Sequence, residues 1–173
     1  ILKGVDYAMR MLGKQFVTGQ TIEEALKNGK EREKLGYLYS FDMLGEAAMT
    51  EADAERYYQD YVNAIHAIGQ DAAGKGIYEG NGISVKLSAI HPRYSRAQHD
   101  RVMKELLPRL KELYLLGKQY NIGINIDAEE ANRLELSLDL MEGLVSDPDL
   151  AGYNGIGFVV QAYQKRCPFV IDY

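Results

Sequence analysis

Ile83-Ser84-Val85-Lys86-Leu87-Ser88, Ile122-Gly123-Ile124-Asn125-Ile126-Asp127 and Ile156-Gly157-Phe158-Val159-Val160-Gln161 decide the fold. Each is a short apolar run that ends on, or carries near its end, a polar residue suited to chemistry. An amphipathic helical stretch follows each of the first two. That rhythm is the βα alternation of a parallel sheet, in which the carboxyl ends of the strands face the active site. Lys86, Asp127 and Gln161 therefore read as one site assembled from distant sequence.

Working outward, Tyr37 to Leu44 reads as a further short aromatic strand, and the last strand spans Gly155 to Gln161. Leu2 to about Val17 is expected as an amphipathic helix, with Val5, Met9, Leu12 and Phe16 near helical spacing. Thr21-Ile22-Glu23-Glu24 is a capping box that opens a solvated helix reaching about Leu35 and stopped by Gly36. Thr50 caps the next helix, whose stripe is Ala54, Tyr57, Tyr58, Tyr61, Ile65 and Ile68 and whose end falls near Gly69. Ser95-Arg96-Ala97-Gln98 has the spacing of another capping box. The helix after it would bury Met103, Leu106, Leu107, Leu110, Leu113 and Tyr114, and Pro108 should kink or split it. A helix over Glu129 to Val145 would turn Leu134, Leu138, Met141 and Val145 inward, with Asp147-Pro148 breaking it.

The chain has 173 residues, enough for one domain with a real core. The formal net charge of −5 argues against a nucleic-acid surface, which is normally basic. The single cysteine, Cys167, excludes an intrachain disulfide and fits a reducing compartment. No apolar run approaches the roughly 18 residues of a membrane span, and Lys3, Asp6, Arg10 and Lys14 break any signal-peptide pattern. The chain does not begin with Met and ends on Cys167-Pro168-Phe169-Val170-Ile171-Asp172-Tyr173, which reads as the first turn of a helix. Both ends read as cut.

Four strands alternating with helices suit an open sheet or part of a (β/α)8 barrel. Such a barrel typically needs about 250 residues, so this chain would hold about the first four βα units. The expected division is a helical region over 1–36 and the half barrel over 37–173.

Strand parity sorts the side chains. Ser84, Lys86 and Ser88 share one face, opposite Val85 and Leu87; Asn125 and Asp127 oppose Ile124 and Ile126. The apolar faces must meet the helices, which leaves the polar faces pointing into the barrel mouth. A lysine in a strand buried on both sides needs a partner or a ligand. Lys86 is thus a site residue or the cation of an ion pair with Asp127 or Asp42, and burial together with a strand-end position weighs toward a site. Asp127 is read equally well as a helix N-cap, with Glu129 and Glu130 at the positive end of the dipole. A metal site from Asp127, Glu129 and Glu130 is a poor reading, since no histidine accompanies them. Gln161 suits a cofactor carbonyl or a neighbouring loop. His66, His91 and His99 lack metal-ligand spacing, and no phosphate-binding fingerprint or serine elbow is present. On the residues alone, a Schiff-base aldolase-type barrel using Lys86 and a non-catalytic scaffold both remain open.

Residues 82–94, 123–130 and 155–166, with Tyr39-Ser40-Phe41-Asp42-Met43-Leu44-Gly45-Glu46, resemble the proline dehydrogenase domain of the bifunctional bacterial proline utilization A flavoproteins. The likeness runs over essentially the whole chain in long matches. It implies a (β/α)8 barrel that binds FAD non-covalently and oxidises L-proline to pyrroline-5-carboxylate by hydride transfer from proline C5 to flavin N5. It also implies a membrane quinone as electron acceptor, an aldehyde dehydrogenase module in the parent chain, and a cytoplasmic location with peripheral contact at the inner membrane face. By position, Lys86 matches the lysine that pairs with the proline carboxylate, and Asp127 the aspartate under substrate and flavin. Ala128 matches a backbone contact to the flavin, and Gln161 the glutamine on the flavin ring. The family's further residues holding FAD and closing on proline would lie beyond Tyr173, so residues 1–173 alone are expected to show little or no dehydrogenase activity.

Overall fold

The computed structural model describes Val5, Met9, Met11, Gly13 and residues 17–45 and 47–173. The helix expected over 2–17 lies largely outside the described residues. Contacts cluster into two compact units, Ile1–Tyr39 and Ser40–Tyr173.

In the first unit, α1 (Ile22–Glu33) opens on Thr21, whose hydroxyl accepts from the Glu24 amide. Glu24 closes the cap one residue further back than the sequence pattern implies, accepting from Gln20 N–H at 2.9 Å. Gly36, at φ +88°, takes the left-handed turn that ends the segment.

The second unit is a four-stranded parallel sheet built from β1 (Ser40–Asp42), β2 (Gly82–Val85), β3 (Ile124–Ile126) and β4 (Ile156–Phe158). The strand order is β1-β2-β3-β4. Every strand thus lies beside its neighbour in sequence, with no reversal of winding. That is the order of a barrel and not of a doubly wound sheet, which switches direction at its centre. The register puts Phe41 beside Ile83, Ile83 beside Ile124, and Ile124 beside Ile156. On the other parity, Asp42 meets Ser84, Ser84 meets Asn125, and Asn125 meets Gly157. The apolar rungs face the helices, and Ile83, Val85, Ile124 and Ile126 are wholly buried there.

The helices between the strands are α2 (Glu51–Ala72), α3 (His99–Tyr120), α4 (Leu134–Val145) and, after β4, α5 (Cys167–Asp172). The Thr50–Asp53 capping box is complete, each side chain bonding the other's backbone N–H. α2 runs past the expected Gly69 to Ala72, because Gly69 is the small residue on which the Tyr120 ring packs. Pro108 does not split α3, which remains one helix of 22 residues. The wholly buried Leu106, Leu110 and Leu113 hold both halves against the core, offsetting the hydrogen bond that proline cannot make.

Several expected boundaries and faces shift. The aromatic strand at 37–44 contracts to three residues. β2 ends at Val85, where the chain tightens into a 3-10 turn at Leu87–Ala89 that takes Ser88 out of the strand. Ser95 makes no side-chain cap, and a 3-10 turn at Arg96–Gln98 intervenes before α3. The helix expected from Glu129 starts instead at Leu134, after a 3-10 turn at Ala131–Arg133. Its buried residues are Leu136, Ser137, Leu140 and Leu144, with Val145 exposed. Among the described residues, no helix is long and apolar enough to cross a membrane.

Candidate active site

The inward parity of the sheet builds a polar stack. At its lower level the Ser40 and Ser84 hydroxyls lie 3.0 Å apart, and Asn125 Nδ2 donates to Ser40 Oγ at 3.2 Å. Gly157 completes this level, and a Cβ added there would fall on Asn125 Oδ1 unless that carboxamide moved. Above it stands the charged level. The backbone ladder extends past the strands through Asp127 N–H to Val85 O and Val159 N–H to Ile126 O, both at 2.9 Å. Lys86 and Asp127 therefore leave adjacent strands on the same face and at the same height.

Lys86 is 8% exposed, unusual for a lysine. Its ammonium donates to Asp42 Oδ1 and lies 3.1 Å from Asp127 Oδ2. Its backbone N–H donates to the buried Tyr61 hydroxyl on α2 at 3.0 Å. Burial pushes the Lys86 pKa down, but hydrogen bonds and charge from Asp42 and Asp127 outweigh it and hold the group above its ordinary value. Both ion-pair partners weighed from the sequence are thus present together. An ammonium has three N–H bonds, and the carboxylates engage two among the described residues. The third suits an additional anionic oxygen, and the surplus carboxylate suits a cationic group beside it.

Asp127 is not a helix cap, since α4 begins seven residues later; its Oδ1 accepts from the adjacent Ala128 N–H at 3.0 Å. Gln161 does not end a strand. It lies three residues beyond β4, donating to Glu129 O at 3.2 Å and accepting from Gln164 Nε2. An open cleft runs between these loops, lined by Asp127, Ala128, Phe158, Val160, Gln161 and Arg166 among others. Lys86, Asp127, Ala128 and Gln161 thus gather at one end of the sheet. Glu129, read from the sequence as helix-dipole charge and as a poor metal ligand, has a carboxylate that accepts from Ser88 N–H at 3.0 Å and from Arg133 Nη1 at 2.7 Å. Its signal was the i,i+4 spacing to Arg133. Tyr61, read as helix packing, has a polar function as well.

Residues 25–173 match the family model for proline dehydrogenase. The chain belongs to the proline dehydrogenase family. Over its full length it is 70% identical to the bifunctional protein PutA of Klebsiella aerogenes, of which it covers 13%. It is 29% identical to proline dehydrogenase 1 of Bacillus subtilis (strain 168), covering 47% of that protein with 92% of itself. Among solved structures, PutA from Bdellovibrio bacteriovorus inactivated by N-propargylglycine superposes with a TM-score of 0.89 at 26% identity. That match takes in 98% of this chain and 19% of the other. A Bradyrhizobium japonicum PutA mutant gives 0.83 at 49% identity, over 97% of this chain and 17% of the other. The chain therefore spans about an eighth of the PutA relatives and about half of the shorter Bacillus proline dehydrogenase. What this proline dehydrogenase segment carries is one end of a strand-built site, with four parallel strands of the family's barrel.

Proposed function

We propose that the chain forms part of the site at which the full-length protein oxidises L-proline to pyrroline-5-carboxylate. The observation that carries this reading is the Lys86–Asp127 pair, 3.1 Å apart at adjacent strand ends and beside the cleft of Ala128 and Gln161. The residues of that cleft fit a flavin. The Gln161 carboxamide offers both donor and acceptor to a heteroaromatic edge, and Ala128 lies beside it. Bound FAD, non-covalent in this reading, would supply the two-electron acceptor for the proline hydride, with a membrane quinone as the onward acceptor.

The chain's own residues do the rest. Lys86, held protonated, pairs with the proline carboxylate and fixes the amino acid's orientation. Asp127 balances that charge and would contact the substrate and the flavin. The Ala128 backbone and Gln161 orient the flavin ring. Holding the reactants in one geometry is the main rate contribution such groups make. The raised Lys86 pKa weighs against the aldolase reading, because a Schiff-base lysine works as a neutral amine. We assign the parent to the cytoplasm, with peripheral contact at the inner membrane face, an aldehyde dehydrogenase module further along the chain, and no nucleic-acid contact through this segment. We also assign residues 1–36 to an N-terminal helical region and residues 37–173 to the first half of the barrel.

The test is Lys86→Ala in the full-length protein. The KM for proline should rise while the bound-flavin absorption persists; an unchanged KM overturns the assignment. Residues 1–173 alone should reduce no dye with proline, since the remaining flavin and proline contacts would come from later strands. Proline-dependent dye reduction by the isolated segment refutes that expectation.

A further inference from the structure

The backbone ladder of the sheet stops one residue beyond the strands, at the Asp127 and Val159 amides. The loops above it hold Lys86 on one side and Gln161 on the other, and among the described residues no main-chain bond of the ladder reaches between them. Glu129 does. Its Oε1 accepts from Ser88 N–H at 3.0 Å, two residues past Lys86. Its main-chain oxygen accepts from Gln161 Nε2 at 3.2 Å. Ser88 carries the link onward, its Oγ accepting from Ala47 N–H at 3.3 Å and its carbonyl from Ala48 N–H at 2.8 Å. One residue of the β3 loop is thus bonded to the β2 and β4 loops, and through Ser88 to the β1 loop.

The Glu129 side chain is 11% exposed, so its charge needs compensation. Arg133 supplies it at 2.7 Å, and the Arg133 guanidinium lies over the Tyr94 ring at 5.4 Å from its centre. The helix-dipole reading of Glu129 explains none of this, because α4 starts at Leu134. We infer that Glu129 is the positioning residue that sets the spacing between Lys86 and Gln161, and so between the amino-acid end and the flavin end of the site. This rests on the proposed function for its kinetic consequence, though not for the clamp itself.

Glu129→Met and Glu129→Gln in the full-length protein test it. Met has a similar volume and offers no oxygen; Gln keeps an acceptor for Ser88 N–H. In the Met variant the KM for proline should rise roughly 10-fold or more and the bound-flavin absorption should shift with it, as a displaced site predicts. Gln should restore the KM to within about 3-fold of the parent. Hydrogen exchange over residues 86–94 and 161–166 should accelerate in Met and remain slow in Gln. A Met variant that melts lower yet keeps proline KM, flavin spectrum and exchange unchanged overturns the inference, as do Met and Gln variants equally impaired. If Glu129→Met does not fold, fast exchange over 86–94 in Glu129→Gln overturns it, and slow exchange with near-parental KM supports it. If the parent oxidises no proline, the proposed function falls, while the exchange comparison still decides the clamp.

Discussion

The Lys86 ammonium and the Asp127 carboxylate stand 3.1 Å apart on one rung of the sheet, because parallel pairing sets Val85 beside Ile126 immediately before them. Asp42 reaches the same ammonium from β1. The geometry follows from register alone: successive strands in a parallel sheet carry equal parity to equal height. Replacing Lys86 by Ala removes one charge-assisted contact to an amino-acid carboxylate. Proline affinity of the full-length protein should fall by about 1.5–3 kcal/mol, roughly 10- to 100-fold, in a titration with a non-oxidised proline analogue. Undiminished affinity would move the carboxylate site elsewhere.

The same pair decides between two chemistries of a buried lysine. Schiff-base formation needs the free amine, and two carboxylates hold Lys86 in the opposite state. Borohydride added with a carbonyl substrate or with pyrroline-5-carboxylate should leave no mass adduct on the peptide containing Lys86. A stoichiometric adduct there would favour the aldolase chemistry.

The alternation in Ile83-Ser84-Val85-Lys86 makes the inward face, and hence the Lys86–Asp127 juxtaposition, legible in the sequence. Other features are not. Leucines at 134, 136, 138, 140 and 144 present several possible stripes, and only the position of β3 and β4 selects Leu136, Leu140 and Leu144. Val159-Val160 continues the apolar pattern of β4, so nothing local says that the chain leaves the sheet before Gln161. Glu129 reads as helix-dipole chemistry until the 3-10 turn displaces the helix. Its real partner, the Ser88 amide, is a backbone group that no sequence pattern marks. The roles of Lys86, Asp127, Ala128 and Gln161 come from family likeness. Parity and spacing fix only where these residues lie.

A methyl added at Gly157 should force the Asn125 side chain to move. A Cβ would collide with Asn125 Oδ1 and displace the amide that bonds Ser40. Gly157→Ala should destabilise the complete domain by about 1–3 kcal/mol in denaturant unfolding. Asn125→Ala should remove most of that penalty in the double variant, since the two residues share the space. Additive losses would mean that the strain lies elsewhere.

Tyr61 joins α2 to the site through the Lys86 amide at 3.0 Å. Tyr61→Phe leaves that buried N–H without its acceptor, and a loss of about 1–3 kcal/mol in domain stability is expected from the desolvated donor. Because the bond fixes the Lys86 backbone, the KM for proline should rise in the same variant. Unchanged stability and KM would show that the amide finds another partner.

High pH should unfold the domain steeply. Burial pushes Tyr61 up from 10.0 to about 12, and Tyr94 higher still. In the unfolded chain both phenols lose their protons near their ordinary value. Between about pH 10 and 12 the unfolded state therefore binds fewer protons than the folded one, and stability falls as pH rises. Lys86 acts with the same sign. Burial lowers its pKa, but the Asp42 and Asp127 contacts together outweigh burial and hold it above its ordinary value. Its contribution is complete below its unfolded value and is lost as pH climbs through the folded one. The melting temperature of the complete domain should thus be nearly level to about pH 9 and drop sharply from about pH 10. In Tyr61→Phe the curve should start lower and fall less steeply over that interval. Equal slopes in parent and variant would remove Tyr61 from the account of alkaline unfolding.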